Sequence, residues 1–474
     1  MKIRIFSLCL ILFFISWASA DHIEKNKTSA EGNGYKDLVR FFQEWREFEK
    51  PELRDGVPDY TAEAMAEQKR RIPEYENRLK AFNTGGWTIP QRVDYEIVRA
   101  EINGLKFNHR VLRPWARNPR FYAVIQMYEP DVPAREGPEI YGVLNVFQHR
   151  FPLDDKSQDV FRMKLAAIPA VLAQARKNLV EEAGDLWLCG IRQKKGESAA
   201  LARLAERLHD RHPELAELAR EAKTAVDEFT AWLEKKQPGM RAFSGVGKEE
   251  FSRYMKDVHL VPYSWDEQMI MIERELDRSL AALAMEEHRN RFLPKLFPAS
   301  SLEERQELEK KSVAAFMNFL RSGDIFTVPG YMKLDDDVQS YTPPEKLDFF
   351  SHISARSPLP LTCHQVHWLE KQRESRNTHP IRGQALLYNI WDSRAEGLAT
   401  AFEELMMQAG LLADRPRDRE LTHILLAFRA IRAIGSLKLH SGEWTLQEAV
   451  DYAVEKTPRG FVGPDSGTIF SDYA

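Results

Sequence analysis

Cysteine is nearly absent. Three in 474 residues, at Cys9, Cys189 and Cys363, make neither a disulfide framework nor a zinc ribbon. An excess of one charge is missing as well: 67 Lys and Arg are interspersed with 71 Asp and Glu. That balance leaves no long-range positive field, so nucleic acid is not an expected partner. Beyond Trp17 no stretch approaches the ~20 apolar residues of a membrane span, so no transmembrane segment is expected after that point. Gly-x-x-x-x-Gly-Lys, the dinucleotide fingerprint, Gly-x-Ser-x-Gly and His-Glu-x-x-His do not occur. Nucleotide hydrolysis, hydride transfer, serine hydrolysis and the usual zincin helix lose their anchors. No period of roughly 20 to 50 residues repeats, which excludes a solenoid.

What is present begins with an address. Lys2 and Arg4 precede the apolar stretch Ile5–Trp17, and Ala18-Ser19-Ala20 follows. This is the pattern of a secretory signal peptide over residues 1–20, with cleavage expected after Ala20 and a secreted or periplasmic destination. Cys9 follows Leu8 inside the apolar stretch rather than a small residue at its end, so lipid attachment there is not expected. Cys189 and Cys363 are then either two buried thiols or one disulfide. Asn26-Lys27-Thr28 matches a glycosylation sequon, a pattern common by chance.

Apolar residues recur at three and four rather than two. In Tyr35–Phe48 they are Leu38, Phe41, Phe42, Trp45 and Phe48, and in Asp94–Trp115 they are Tyr95, Val98, Ile102, Leu105 and Phe107. The second run stops at Pro114 and Asn118-Pro119, where proline cannot continue a helix. Further helices are expected near 159–183, 198–235, 265–288, 302–320, 386–409, 417–439 and 446–454, with Ser198–Lys236 read as a solvated hairpin. Arg120–Met127 is the best strand candidate. The fold class is therefore mainly α with few short strands. Proline and glycine cluster at Pro130–Gly137, Pro238–Gly247, Phe326–Gly330 and Tyr341–Pro344. The expected organisation is an N-terminal helical part over 21–240 and a C-terminal helical domain over 241–474.

Three segments of that domain carry chemistry. Pro358-Leu359-Pro360 leads into Thr362, read as a helix N-cap, followed by His364 and His367. Three apart on a first turn, both imidazoles project from one side and can share a divalent ion. A second helix presents Glu396, Thr400 and Glu403 at i, i+4 and i+7. A third carries Arg429, Arg432, Ser436 and His440 along one stripe, beside Leu425, Leu426 and Phe428. Such a stripe points at a cleft or at buried acids, and can pair with Glu396 or Glu403 or hold an oxyanion.

These residues also carry a resemblance. Ala395-Glu396-Gly397 through Gly410 resembles the Glu-Gly-Trp-Ala-Leu-Tyr-x-Glu helix of the bacterial domain of unknown function 885 family. Arg429-Ala430-Ile431-Arg432 with His440 is similar to its Arg-Ala-x-Arg segment and following histidine, and Gly442-Glu443-Trp444 to its final helix. Gly245-Val246-Gly247-Lys248-Glu249 and Ser264-Trp265-Asp266-Glu267 fit its upstream loop and next helix start. The resemblance runs over about 245–457 and is weak in the N-terminal half. It implies a large helical zincin-like architecture of the gluzincin, peptidase MA-like type. Zinc would be held by two histidines of one helix and the glutamate of the next, here His364, His367 and Glu396.

The family's histidine segment reads His-Glu-x-x-Pro-Gly-His-His, where this chain has His364-Gln365-Val366-His367. Glutamine orients water but cannot take its proton. Ser436 and Lys438 stand where the family has Asp and Gly. The function expected is a zinc-dependent hydrolase acting on peptide bonds, its partner a peptide or small-molecule substrate. Glu370 or Glu403 would be the substitute base, and Arg429, Arg432 or His440 the oxyanion partner. The alternative is a catalytically inactive peptide-binding protein that keeps the cleft. A third possibility is a structural envelope protein whose polar stripe is a buried salt-bridge network.

Overall fold

The computed structural model describes residues 34–128, 141–241, 244–336, 338, 340–384 and 390–464. The signal peptide, the sequon at Asn26 and the loop Pro130–Gly137 lie outside these residues. The longer helices are α1 (Tyr35–Glu49), α2 (Ala62–Lys80), α3 (Ile89–Phe107), α4 (Asp155–Asn178), α5 (Gly184–Leu208), α6 (Pro213–Lys236) and α7 (Lys248–Asp257). They continue with α8 (Trp265–Arg289), α9 (Leu302–Ser322), α10 (Val366–Glu374), α11 (Ile390–Gln408), α12 (Pro416–Ser441) and α13 (Leu446–Lys456). The fold is mainly α. Among the described residues, strand is confined to Leu53–Arg54 against Val57–Pro58, antiparallel, and Ile125–Gln126 against Leu144–Asn145, parallel.

Local chemistry sets several starts. Ser264 and Thr445 cap α8 and α13, each accepting from the backbone three residues on while Glu267 and Glu448 reach back to the cap. Each such reciprocal pair satisfies two backbone donors that a helix start leaves open. Helix α2, which runs unbroken through Pro73, escapes the apolar count because charged residues fill its outer face. Its buried stripe Met65, Ile72, Tyr75 and Leu79 nevertheless packs inward. The strand expected over Arg120–Met127 shrinks to two residues. Asn118 accepts from the Arg120 amide at 3.0 Å and starts a tight turn over Pro119–Tyr122. The hairpin read as solvated is α5 and α6, broken at residues 209–212, and its inner face is core: Leu201, Leu204, Leu208, Val226, Phe229 and Leu233 are each fully buried.

Helix α12 runs through the C-terminal half, buried over most of its length from Asp418 to Leu437. Leu421, Ile424, Leu425, Phe428 and Ile431 are buried against α8 and α13. It ends where Gly442 takes a left-handed conformation, φ 78°, which glycine adopts without steric cost. A separate cluster joins α9, the short turn Leu359–Thr362, α10 and α11 through Phe316, Leu359, Cys363, Val366 and Ala399. The cluster of α1–α3 also takes in Val258 and Ile381, so segments 21–240 and 241–474 share a core. No helix among the described residues is long and apolar enough to cross a membrane.

Candidate functional site

The approach to His364 is built differently from the sequence expectation. Thr362 does not cap a helix: Leu359–Thr362 is already helical, Cys363–Gln365 tightens to a 3-10 turn, and α10 resumes at Val366. The Thr362 hydroxyl donates back to the Pro358 carbonyl at 3.0 Å. Leu359, Cys363, Val366 and Leu369 anchor the inner face in the core. His364 and His367, each one residue further on, are thereby turned toward α11. Cys363 and Cys189 are both buried and not joined in a disulfide.

Three groups then converge. His364 Nε2 lies 3.3 Å from Glu396 Oε2, and His367 Nδ1 lies 3.0 Å from Glu396 Oε1. One ligand atom from each residue falls within 4.8 Å of the other two. Metal–ligand bonds of about 2.0–2.1 Å at a tetrahedral angle put neighbouring ligand atoms roughly 3.3 Å apart, so the spacing suits zinc. Of the three, Glu396 is the most exposed, its side chain 31% accessible against 13% for His364 and 3% for His367. The cluster therefore opens to solvent on the α11 side.

Glu403, two turns beyond Glu396, is fully buried and reaches His364 from the other side, with Oε1 2.9 Å from Nδ1. Carboxylates only accept, so His364 faces an acceptor on each ring nitrogen; with Nδ1–H directed to Glu403, Nε2 is the nitrogen on the Glu396 side that a metal would take. Metal-binding histidines characteristically have such a partner on the far nitrogen. Arg429 of α12 donates to the same Glu403 oxygen, lies 3.1 Å from His364 Nδ1, and rests over the Phe350 ring at 5.4 Å.

The electrostatics follow from this packing. Burial disfavours charge on His364, but hydrogen bonds to Glu396 and Glu403 outweigh it and raise its pKa above the ordinary range. Burial would push Glu396 up, yet His364 and His367 hold its carboxyl well below the usual range. Glu403 is likewise held low against desolvation by Arg429 and His364. With both imidazoles neutral the group carries two carboxylates against one guanidinium, a net negative charge that a proton or a divalent cation offsets.

The other expected residues are placed elsewhere. Glu403 is sealed from solvent, and its position suits holding His364 rather than exchanging protons with water. Glu370 sits one turn after His367 and pairs with Arg373 at 2.5 Å. Arg432 lies over Phe428, 5.7 Å from the ring centroid. His440, eleven residues past Arg429, is about 16 Å further along the helix axis. Its ring packs against Phe251 at 5.3 Å and its carbonyl accepts from Val246 and Gly247. Desolvation lowers its pKa to about 4. The stripe thus spans more than one environment: Arg429 reaches the histidine cluster, while His440 packs against Phe251.

One supporting group was not anticipated. Asp94 of α3, 1% exposed, accepts from Tyr35 at 2.7 Å and pairs with Arg382 at 2.8 Å and His379 at 3.5 Å. Burial and the Asp94 hydrogen bond raise Tyr35 to about 12. The contacts fasten the segment between α10 and α11 to the N-terminal helices. The available signal was an acid at i, i+4 and i+8 with Val98 and Ile102, on an otherwise apolar stripe.

A mainly helical body with a histidine–glutamate cluster between α10 and α11 defines the class. The chain belongs to the family described as bacterial protein of unknown function (DUF885), which matches residues 46–343. That match extends through the N-terminal half, where the sequence resemblance was weak, and stops before His364. No curated protein matches the chain. A solved structure described as a candidate lipoprotein of unknown function from Shewanella oneidensis superposes with a TM-score of 0.58 at 14% identity, covering 92% of this chain and 90% of that one. A second, a candidate lipoprotein from Colwellia psychrerythraea, gives 0.65 at 13% identity, covering 93% and 89%. The likeness is one of fold.

Proposed function

We propose that this chain is an exported, zinc-dependent hydrolase of peptide bonds, with His364 Nε2, His367 Nδ1 and one Glu396 oxygen as the ligands. The observation that carries the proposal is the convergence of these three groups within 4.8 Å, with Glu403 Oε1 2.9 Å from His364 Nδ1 on the opposite side of the ring. Zinc, when bound, polarises a carbonyl and lowers the pKa of a water toward neutrality. The chain's own residues do the rest. Glu403 and Arg429 fix the His364 ring, and His367 is locked by burial. Export is supported by the Lys2–Ala20 pattern and by the lipoprotein description of the two similar structures. The zincin-like architecture rests on the same trio.

Metal analysis by mass spectrometry tests this. Purified protein is expected to hold about one zinc per chain, lost in Glu396→Ala, and to cleave peptides in a chelator-sensitive way. Protein that takes up no added zinc would sink the proposal. A second reading is favoured by Gln365, which occupies the 3-10 turn where the family's motif has glutamate: the chain binds peptides through the same metal-bearing cleft without cutting them. In that case the unmodified protein binds but does not turn over, and Gln365→Glu gains activity.

A further inference from the structure

The loop between α8 and α9 is built as a rigid apolar protrusion. Residues 291–295 are all exposed, and within the loop Phe292 is 84% and Phe297 78% exposed, with Leu293 at 43%. Exposed apolar groups this concentrated mark an interaction site rather than ordinary surface. The loop is fastened from beneath. The Arg417 guanidinium donates to the carbonyls of Asn290 at 2.8 Å, Leu293 at 2.6 Å and Pro294 at 3.1 Å. The Asn290 side chain is held by Glu420 and the Pro416 carbonyl, both at 2.9 Å. Downstream, the Ala299 amide donates to the Ala355 carbonyl at 2.7 Å. The aromatic rings are therefore presented on a fixed frame, and no ordering cost is left for a partner to meet.

Charge says what the partner is. From His288 to Ser301 the chain has no acidic residue, while Arg289, Arg291 and Lys295 flank the rings. Arg289 pairs with Glu286; Arg291 and Lys295 form no ion pair among the described residues, and Arg291 lies over its neighbour Phe292 at 4.5 Å. Two phenylalanines and a leucine bounded by cationic side chains match the chemistry of an acidic bilayer interface. There the rings enter the acyl boundary while the stems of Arg and Lys follow them and leave their charges at the headgroups. A protein interface of the usual kind is depleted in lysine, whereas Lys295 stands in the chain between the two exposed rings. We propose that this loop docks the protein onto a lipid surface bearing anionic headgroups. The proposal does not depend on the zinc cluster.

The test is co-sedimentation of the chain beginning at Asp21, which removes the apolar stretch Ile5–Trp17, with vesicles of phosphatidylcholine alone and of phosphatidylcholine mixed with phosphatidylglycerol. Binding is expected on the mixed vesicles and to fall as salt is added. Phe292→Ser with Phe297→Ser should weaken it by about 100-fold or more, from the transfer of two aromatic side chains. Arg291→Ala with Lys295→Ala should weaken it by about 30-fold. Thermal unfolding of all variants should match the parent, since these side chains touch little. Absence of sedimentation, equal binding to both vesicle types, or a Phe292/Phe297 double variant that binds like the parent overturns the proposal. So does a dimer in sedimentation velocity that the double variant dissolves without any vesicle binding, which would assign the loop to a second copy of the chain.

Discussion

Glu403→Gln isolates the role of the buried carboxylate beneath the proposed ligands. The replacement keeps the volume and an acceptor oxygen for His364 Nδ1, but removes the charge that Arg429 faces. It also places an amide where Glu403 Oε2 now sits buried without a hydrogen-bond partner. Loss of the outer partner of a metal-binding histidine lowers metal affinity about 10- to 100-fold, or about 1.4–2.7 kcal/mol. At a free zinc concentration of about 100 times the parent's dissociation constant, zinc stabilises the parent by ~2.7 kcal/mol. At the same zinc level a 30-fold weaker variant gains only ~0.9 kcal/mol. Chemical unfolding with zinc and with a chelator reads this difference, and a chromophoric chelator competing for zinc reads the affinity directly. In the chelator the variant should also be less stable by about 1–3 kcal/mol, the cost of leaving a buried polar group unsatisfied. Zinc affinity unchanged within about twofold, with the chelator-side loss still present, would show that Glu403 serves the fold and not a metal.

Other outcomes can be checked alongside. Burial, with Lys69 nearby, lowers His109 to about 4, and its Nε2 faces Gln68 at 2.8 Å. Its unfolded value is near 6.5, so the unfolded chain binds the extra proton. The contribution is fully present above pH ~6.5 and is lost as pH falls toward 4, ~3 kcal/mol in all. Urea unfolding across that range should show a shallower decline in His109→Gln, and an identical decline would refute the assignment. Arg417→Ala removes three donations to loop carbonyls and one partner of the fully buried Glu420, which keeps Arg459. A loss of about 2–3 kcal/mol is expected, and under ~0.5 kcal/mol by denaturant titration would contradict it. Phe428→Ala empties a fully buried site stacked on Phe349 at 3.6 Å. It should cost about 3–5 kcal/mol, read as a lowered unfolding midpoint.

What was legible in the sequence followed from periodicity. Helices α8, α9, α12 and α13 were visible because their apolar residues recur at three and four. The juxtaposition of His364, His367 and Glu396 was also foreseeable, since spacing puts the histidines on one side of a turn and Glu396 with Glu403 on one face of α11. Helix α2 is absent from the expected helices, since its buried stripe is only Met65, Ile72, Tyr75 and Leu79 amid charged residues. Along the stripe from Arg429 to His440, shared helical phase aligns side chains but says nothing of the length between them, and Phe251 packs on its far end. Asp94 with Arg382 is a contact across nearly three hundred positions, and no local pattern encodes its partner.

The inclusion of Val258 and Ile381 in the cluster of α1–α3 bears on any attempt to subdivide the molecule. A fragment starting at residue 241 would carry every histidine and acid of the metal proposal, yet would expose Val258 and Ile381, which now lie in the core of α1–α3. It would also release the tether that Asp94 provides ahead of α11. Excised in this way the cluster should come apart, and heating the intact protein should melt both halves together.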